Sequence, residues 1–155
     1  MIDMSDSQRD KFLAKPRMAT FCYVGKNGAP IGVPVWFEWD GRIVRINAGV
    51  TSAKIKYLRQ DPRISLVLCN FLDEPEGWIA FHGEVCINEK GATELGERLM
   101  VRYWPMTGDP VTDARRSAYM EAFRKQEGQM ECFVLELTPK RIQCKWEFDD
   151  PGDAF

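Results

Sequence analysis

Histidine is nearly missing from this chain: one residue, His82, among 155. A histidine-based metal centre or a Cys–His nucleophile pair therefore lacks its raw material. Cysteine is present but unpatterned. Cys22, Cys69, Cys86, Cys132 and Cys144 are odd in number and no two form a C-x-x-C pair, which argues against a disulfide framework and a zinc site. An excess of charge is also lacking. Lys and Arg total 21 against 23 Asp and Glu, a formal net charge of −2, so there is no electrostatic footprint for nucleic acid or an anionic membrane. No apolar run approaches the roughly 20 residues that span a bilayer. The polar start MIDMSDSQRDKFLAK has no signal-peptide core. The expectation is a cytoplasmic protein with no metal and no nucleic-acid or membrane partner.

Self-contained catalytic signatures are absent too. There is no G-x-S-x-G, H-E-x-x-H, G-x-x-x-x-G-K-[ST] or G-x-G-x-x-G. The acidic pairs Asp73/Glu74 and Asp149/Asp150 fall in a turn and in the tail, and read as solvated. A chain so poor in acids, bases and nucleophiles either binds something or relies on the reactivity of a cofactor.

What is there is a series of short β-prone stretches. Residues 6–14 read as a helix, ATFCYV (19–24) as a strand, GKNG (25–28) as a turn and APIGVPVWFEW (29–39) as a second strand. Asp40-Gly41 is a two-residue hairpin signal. RIVRINA (42–48) then alternates, with Val44 and Ile46 on one face and Ile43, Arg45 and Asn47 on the other. These predict a three-stranded antiparallel meander. A short helix is expected within VTSAKIKYLRQDPR (50–63), followed by strands over 63–71 and 77–87. Helices are expected over 89–104 (Ala92, Leu95, Leu99 and Tyr103 in register) and 110–127 (Ala114, Ala118, Ala122 and Phe123), then strands over 131–139 and 141–148, with a frayed tail. About seven strands with helices inserted late do not suit alternating βαβ units. One mainly β domain over 1–155, an antiparallel barrel with a helical insertion at about 89–127, fits better.

Two stretches are unusual. Thr51 and Ser52 offer cap hydroxyls before a helix whose first turn carries Lys54, where the helix dipole already favours negative charge. Either the lysine points to solvent, or it helps to hold an anion. In VPVWF (33–37), Pro34 cannot donate a ladder hydrogen bond, which marks an edge, a bulge or a face that meets something else. Taken together the two stretches sketch a pocket for a phosphorylated planar cofactor.

The order V-P-V-W-F, a D-G turn, T-S-x-K-x-x-x-L, D-P-R-x-S-L and G-W-x-x-x-x-G, from about Met18 to Val85, resembles the pyridoxamine 5′-phosphate oxidase-like family. Its flavin- and deazaflavin-dependent oxidoreductase branch is the nearest likeness. The resemblance implies an antiparallel split β-barrel of the FMN-binding type, a homodimer with the cofactor at the subunit interface, and hydride transfer through flavin N5 to a small acceptor. It implies FMN as cofactor, with a deazaflavin-dependent reductase or a non-catalytic flavin- or haem-binding protein as alternatives. Val33, Pro34, Val35 and Trp36 would meet the ring, Asn47 and Ala48 the ribityl–phosphate region, Ser52 and Lys54 the phosphate, and Trp78 the ring edge. Ala53 stands where the family often has a basic residue, and Tyr57 where many relatives have Asn. The segment RYWPMTGDP is expected to form a lid or substrate wall donated to the partner subunit, with Arg102, Tyr103 and Trp104 as contacts. No residue is assigned a catalytic role.

Overall fold

The computed structural model describes residues 1–125 and 131–147. The tail from residue 148 onward, expected to fray, and the side chain of Phe123 lie outside the described residues. In chain order the elements are β1 (Ile2–Asp3), α1 (Asp6–Ala14), β2 (Ala19–Val24), a 3₁₀ turn (Lys26–Gly28), β3 (Pro30–Val35), β4 (Glu38–Trp39) and β5 (Val44–Gly49). Then come α2 (Ala53–Leu58), β6 (Arg63–Cys69), β7 (Gly77–Asn88), α3 (Ala92–Tyr103), α4 (Pro110–Lys125), β8 (Cys132–Leu137) and β9 (Arg141–Trp146). Among the described residues, no helix is long and apolar enough to cross a membrane.

The strands form a mainly antiparallel split barrel in the order β3-β2-β6-β7-β8-β5-β4, with β9 paired to β7 and β1 to β9. Alternation drives it. In β2, Ala19, Phe21 and Tyr23 are buried, and in β6 Ile64, Leu66 and Leu68 are, so each strand gives one face to the interior. The core gathers Phe12 of α1 with Phe21, Phe37, Phe81 and Trp146, all essentially without exposure. Strand β7 serves both halves of the barrel. Residues 77–82 pair with β9 and residues 85–88 with β8. The change of partner falls at Gly83, where a Cβ would lie 2.8 Å from the Leu137 side chain and 3.3 Å from the Lys140 backbone nitrogen. Only glycine fits that approach without displacing a neighbour.

The expected meander is not formed. The stretch 29–39 breaks after Val35, β3 pairs with β2, and β5 pairs with β4 and β8 but not with β3. The barrel is therefore closed at this point by chain continuity through Trp36 and Phe37 and not by a ladder. The hairpin at Asp40-Gly41 is present, but Trp39 pairs with Val44, which leaves a four-residue loop. Asp40 organises it by accepting from the Arg42 and Ile43 amides at 2.9 and 2.7 Å. The Ile43 amide, opposed by a little burial and helped by Arg45, holds the Asp40 carboxyl at a pKa of about 2.

Glu74 is not a solvated turn residue. Its carboxylate is buried and receives Arg17 and Lys15, each at 2.5 Å, and the Phe71 amide at 2.9 Å. Arg17 is itself 1% exposed, donates to the Phe12 carbonyl at 2.9 Å, and lies over the Phe12 and Phe71 rings. Burial alone would raise the Glu74 pKa, but the two cations and the amide outweigh it and hold it at about 2, against an ordinary 4.5. A carboxyl whose pKa falls on folding adds stability that is complete above the unfolded value and lost as pH drops through the folded one. Glu74→Gln should therefore lower stability by about 3 kcal/mol at pH 7, since it strands a buried guanidinium. It should also flatten the loss of stability between pH 4.5 and 2. Thermal unfolding across that window checks both. An unchanged acid limb in the variant would remove Glu74 as its origin.

Candidate functional site

Strand β3 ends the strand order and pairs on one side only, which is where Pro30 and Pro34 are tolerated. Past Val35 the backbone leaves the ladder, and its polar groups need other partners. Tyr103, the last residue of α3, supplies them. Its hydroxyl accepts from the Phe37 amide at 3.3 Å and lies 3.1 Å from the Phe37 carbonyl and 2.9 Å from the Arg17 carbonyl, to which its single proton is donated. Burial raises the Tyr103 pKa, so the phenol keeps that proton. The Trp36 indole lies flat on the Tyr103 ring, centroids 5.1 Å apart at 3°.

Strand β5 turns Val44, Ile46 and Ala48 inward and leaves Asn47 on the other face. The Asn47 amide nitrogen donates to the Ala92 carbonyl at 2.8 Å, while its Oδ1 is buried without a partner. Helix α2 is held by Ile55 and Leu58 in the core. Ser52 occupies its N-cap position but makes no capping bond, and its Oγ is buried and unpartnered. Lys54 is half-buried. Among the described residues no hydrogen bond or ion pair reaches its ammonium, which lies 5.7 Å from the Phe21 ring centroid. Burial lowers its pKa.

These elements enclose a cavity of about 270 Å³ lined by Pro34, Val35, Trp36, Asn47, Lys54, Gly96, Leu99, Met100 and Tyr119. Among the described residues, Lys54 is the one charged side chain in that lining. Apart from Lys54 and Asn47 the named lining residues are apolar or aromatic, which suits a flat ring with an anionic substituent. A family model described as pyridoxamine 5′-phosphate oxidase matches residues 5–144. The chain belongs to the pyridoxamine 5′-phosphate oxidase family.

Solved structures agree on the fold. A conserved hypothetical protein from Mycobacterium tuberculosis is similar with a TM-score of 0.72 at 22% identity, over 94% of this chain and 86% of its own. An F420 reductase is similar with a TM-score of 0.64 at 19% identity, over 86% and 94% of the two chains. The haem storage protein from Vibrio cholerae is similar with a TM-score of 0.64 at 9% identity, over 91% and 95%. No curated protein matches the sequence.

In this family member, five of the residues expected from sequence, Pro34, Val35, Trp36, Asn47 and Lys54, line one cavity. Val33 packs against the core and Ala48 is buried in it. Ser52 is enclosed beside α2 and does not line the cavity. Trp78 lies on β7, opposite Cys69 and Lys145, and is not part of the lining either. Residues 102–104 have partners within their own chain. Arg102 donates to the Leu13 and Lys15 carbonyls at 2.6 and 2.8 Å, closing the end of α1. Tyr103 holds the break after Val35. The Trp104 ring meets Tyr119 at 5.7 Å, and its carbonyl accepts from Arg116. The helical insertion does wall the cavity, in its own subunit, through Gly96, Leu99, Met100 and Tyr119. The first three share one helical face with Tyr103, a spacing visible in the sequence. Tyr119 carries no such signal, because its place depends on how α4 folds back.

An ammonium whose pKa falls on folding is disfavoured by the fold in its charged form, so at neutral pH Lys54 subtracts from stability and the loss eases only as pH rises. Lys54→Met should therefore raise the melting temperature of the ligand-free protein at pH 7 by about 2–4 °C. Calorimetry decides the point, and a fall would mean that the ammonium has a stabilising partner.

Proposed function

We propose that this protein is an FMN-dependent oxidoreductase, working as a homodimer with the cofactor at the subunit interface. The observation that carries the reading is the half-buried ammonium of Lys54, which no anion meets among the described residues, in the same cavity as Pro34, Val35 and Trp36. Lys54 would hold the phosphate, with the orphaned Ser52 hydroxyl close to it in the chain. Asn47, through its unpaired Oδ1, would hold the ribityl chain. Pro34, Val35 and Trp36 would carry the ring, with Leu99 and Met100 excluding water from the other side. When bound, the flavin supplies hydride transfer at N5 to a small acceptor. Among the described residues the lining contributes no carboxylate or imidazole, so the part these residues play is to bind, orient and exclude solvent. An uncovered stripe on α4, with Val111 62% exposed and Ala114 and Ala118 also exposed, is available to a second subunit.

A deazaflavin is the second reading, favoured by the likeness in fold to an F420 reductase. Haem ligation by His82 is disfavoured. Its Nδ1 and Nε2 are each 2.8 Å from a side-chain partner, Ser65 and Gln143 respectively, and a metal would have to displace one of them.

Titration with FMN, followed by quenching of flavin fluorescence, tests the reading. Lys54→Met should weaken FMN binding about tenfold or more, the loss of a charge-assisted contact. Riboflavin, which lacks the phosphate, should bind wild type and variant within about twofold of each other. Wild-type protein that takes up neither FMN nor a deazaflavin at tens of micromolar would overturn the proposal.

A further inference from the structure

We propose that Tyr103 is a positioning residue for the cavity, fixing the Trp36 indole as the surface on which a planar ring ligand stacks. The inference rests on the ring-binding reading above and adds to it a residue that does not line the cavity itself.

Trp36 needs an external support. It belongs to neither β3 nor β4, so no strand ladder orients it. Its side chain is half-buried, packing on one side against the Leu95, Leu99 and Val134 cluster and reaching the cavity on another. Large aromatic side chains have two soft torsions, and at an irregular backbone position neither is set by a pleat. Tyr103 removes that freedom. Its ring is parallel to the indole within 3°, a geometry that aromatic pairs adopt when offset. The Tyr103 ring is immobilised in turn by its hydroxyl, which three backbone groups from two segments surround, the Phe37 amide and the Phe37 and Arg17 carbonyls. A staple that only closed the break after Val35 would require the hydroxyl alone. The parallel ring beneath a cavity-lining tryptophan is the additional feature, and it links ring binding to the end of α3.

The test uses Tyr103→Phe, Trp36→Ala, the double variant and, as a control, Ile64→Val, which trims the barrel core between β2 and β7, outside the cluster that Trp36 packs against. Each is studied at a temperature where far-ultraviolet circular dichroism shows it folded. The near-ultraviolet spectrum of the ligand-free protein should lose in Tyr103→Phe most of the signal that Trp36→Ala loses, and Ile64→Val should keep it. Tyr103→Phe should weaken FMN and riboflavin equally, about five- to tenfold, because the ring and not the phosphate is affected. In the Trp36→Ala background the same change should alter binding by less than about twofold. Wild-type affinity in Tyr103→Phe, or an undiminished effect without Trp36, overturns the proposal. Should wild-type protein bind neither flavin, the cofactor reading falls by itself. The near-ultraviolet signal then decides the positioning role: its loss in Tyr103→Phe supports that role and its persistence ends it.

Discussion

The barrel depends on a strand that cannot continue. Between Val35 and Glu38 the chain passes from the β2 side of the barrel to the β5 side, and two residues there have no ladder. Buried amides and carbonyls left in that state would each cost about 1–3 kcal/mol. The Tyr103 hydroxyl meets the Phe37 groups and the Arg17 carbonyl together, and so ties α3 to the point where the barrel is split. Because α3 is anchored there, its Gly96, Leu99 and Met100 face Pro34, Val35 and Trp36, and a cavity results.

The molecule treats its buried charges in two ways. Arg17 and Glu74 lie in the interior of the fold, and each is matched by opposite charge and backbone groups. That arrangement is consistent with a purely structural role, since an unmatched buried ion would be expensive. Lys54 is the contrast. It is half-buried, its pKa is lowered, and no anion meets it among the described residues. The fold carries this penalty at a cavity that Asn47, with its unsatisfied oxygen, also lines. A ligand with a phosphate to meet the ammonium and a hydroxyl to donate to the Asn47 oxygen would satisfy both, which is the physical basis for reading the cavity as a cofactor site.

Helix α4 has a distinct place. Asp113 locks the preceding loop by accepting from the Thr107 and Gly108 amides at 2.8 and 2.9 Å, and Arg116 fastens the helix to the Trp104 carbonyl. Its position over the cavity is thus specified by local bonds, yet Tyr119 and Val111 remain more than half exposed. The same helix closes the cavity on one side and offers an uncovered face on the other.

Much of this was legible in the residues themselves. Apolar, β-prone runs in β2 and β6, alternation in β5 and the three-residue spacing of Ile55 and Leu58 placed those strands and α2, because such patterns are a local property of the backbone. The chemistry of Pro34 and Lys54 pointed to one pocket for the same reason: a missing N–H and a misplaced charge are visible without coordinates. Partnership was not legible. That β5 joins β8 across the helical insertion, that Glu74 is buried under Arg17, and that the Tyr103 hydroxyl bonds the Arg17 and Phe37 backbone all depend on contacts between residues distant in the chain. The sequence by itself determined which side chains were apolar, charged or unable to pair. The tertiary structure alone decided which of them met, because long-range pairing is selected by the packing of the whole barrel and leaves no periodic trace in any one segment.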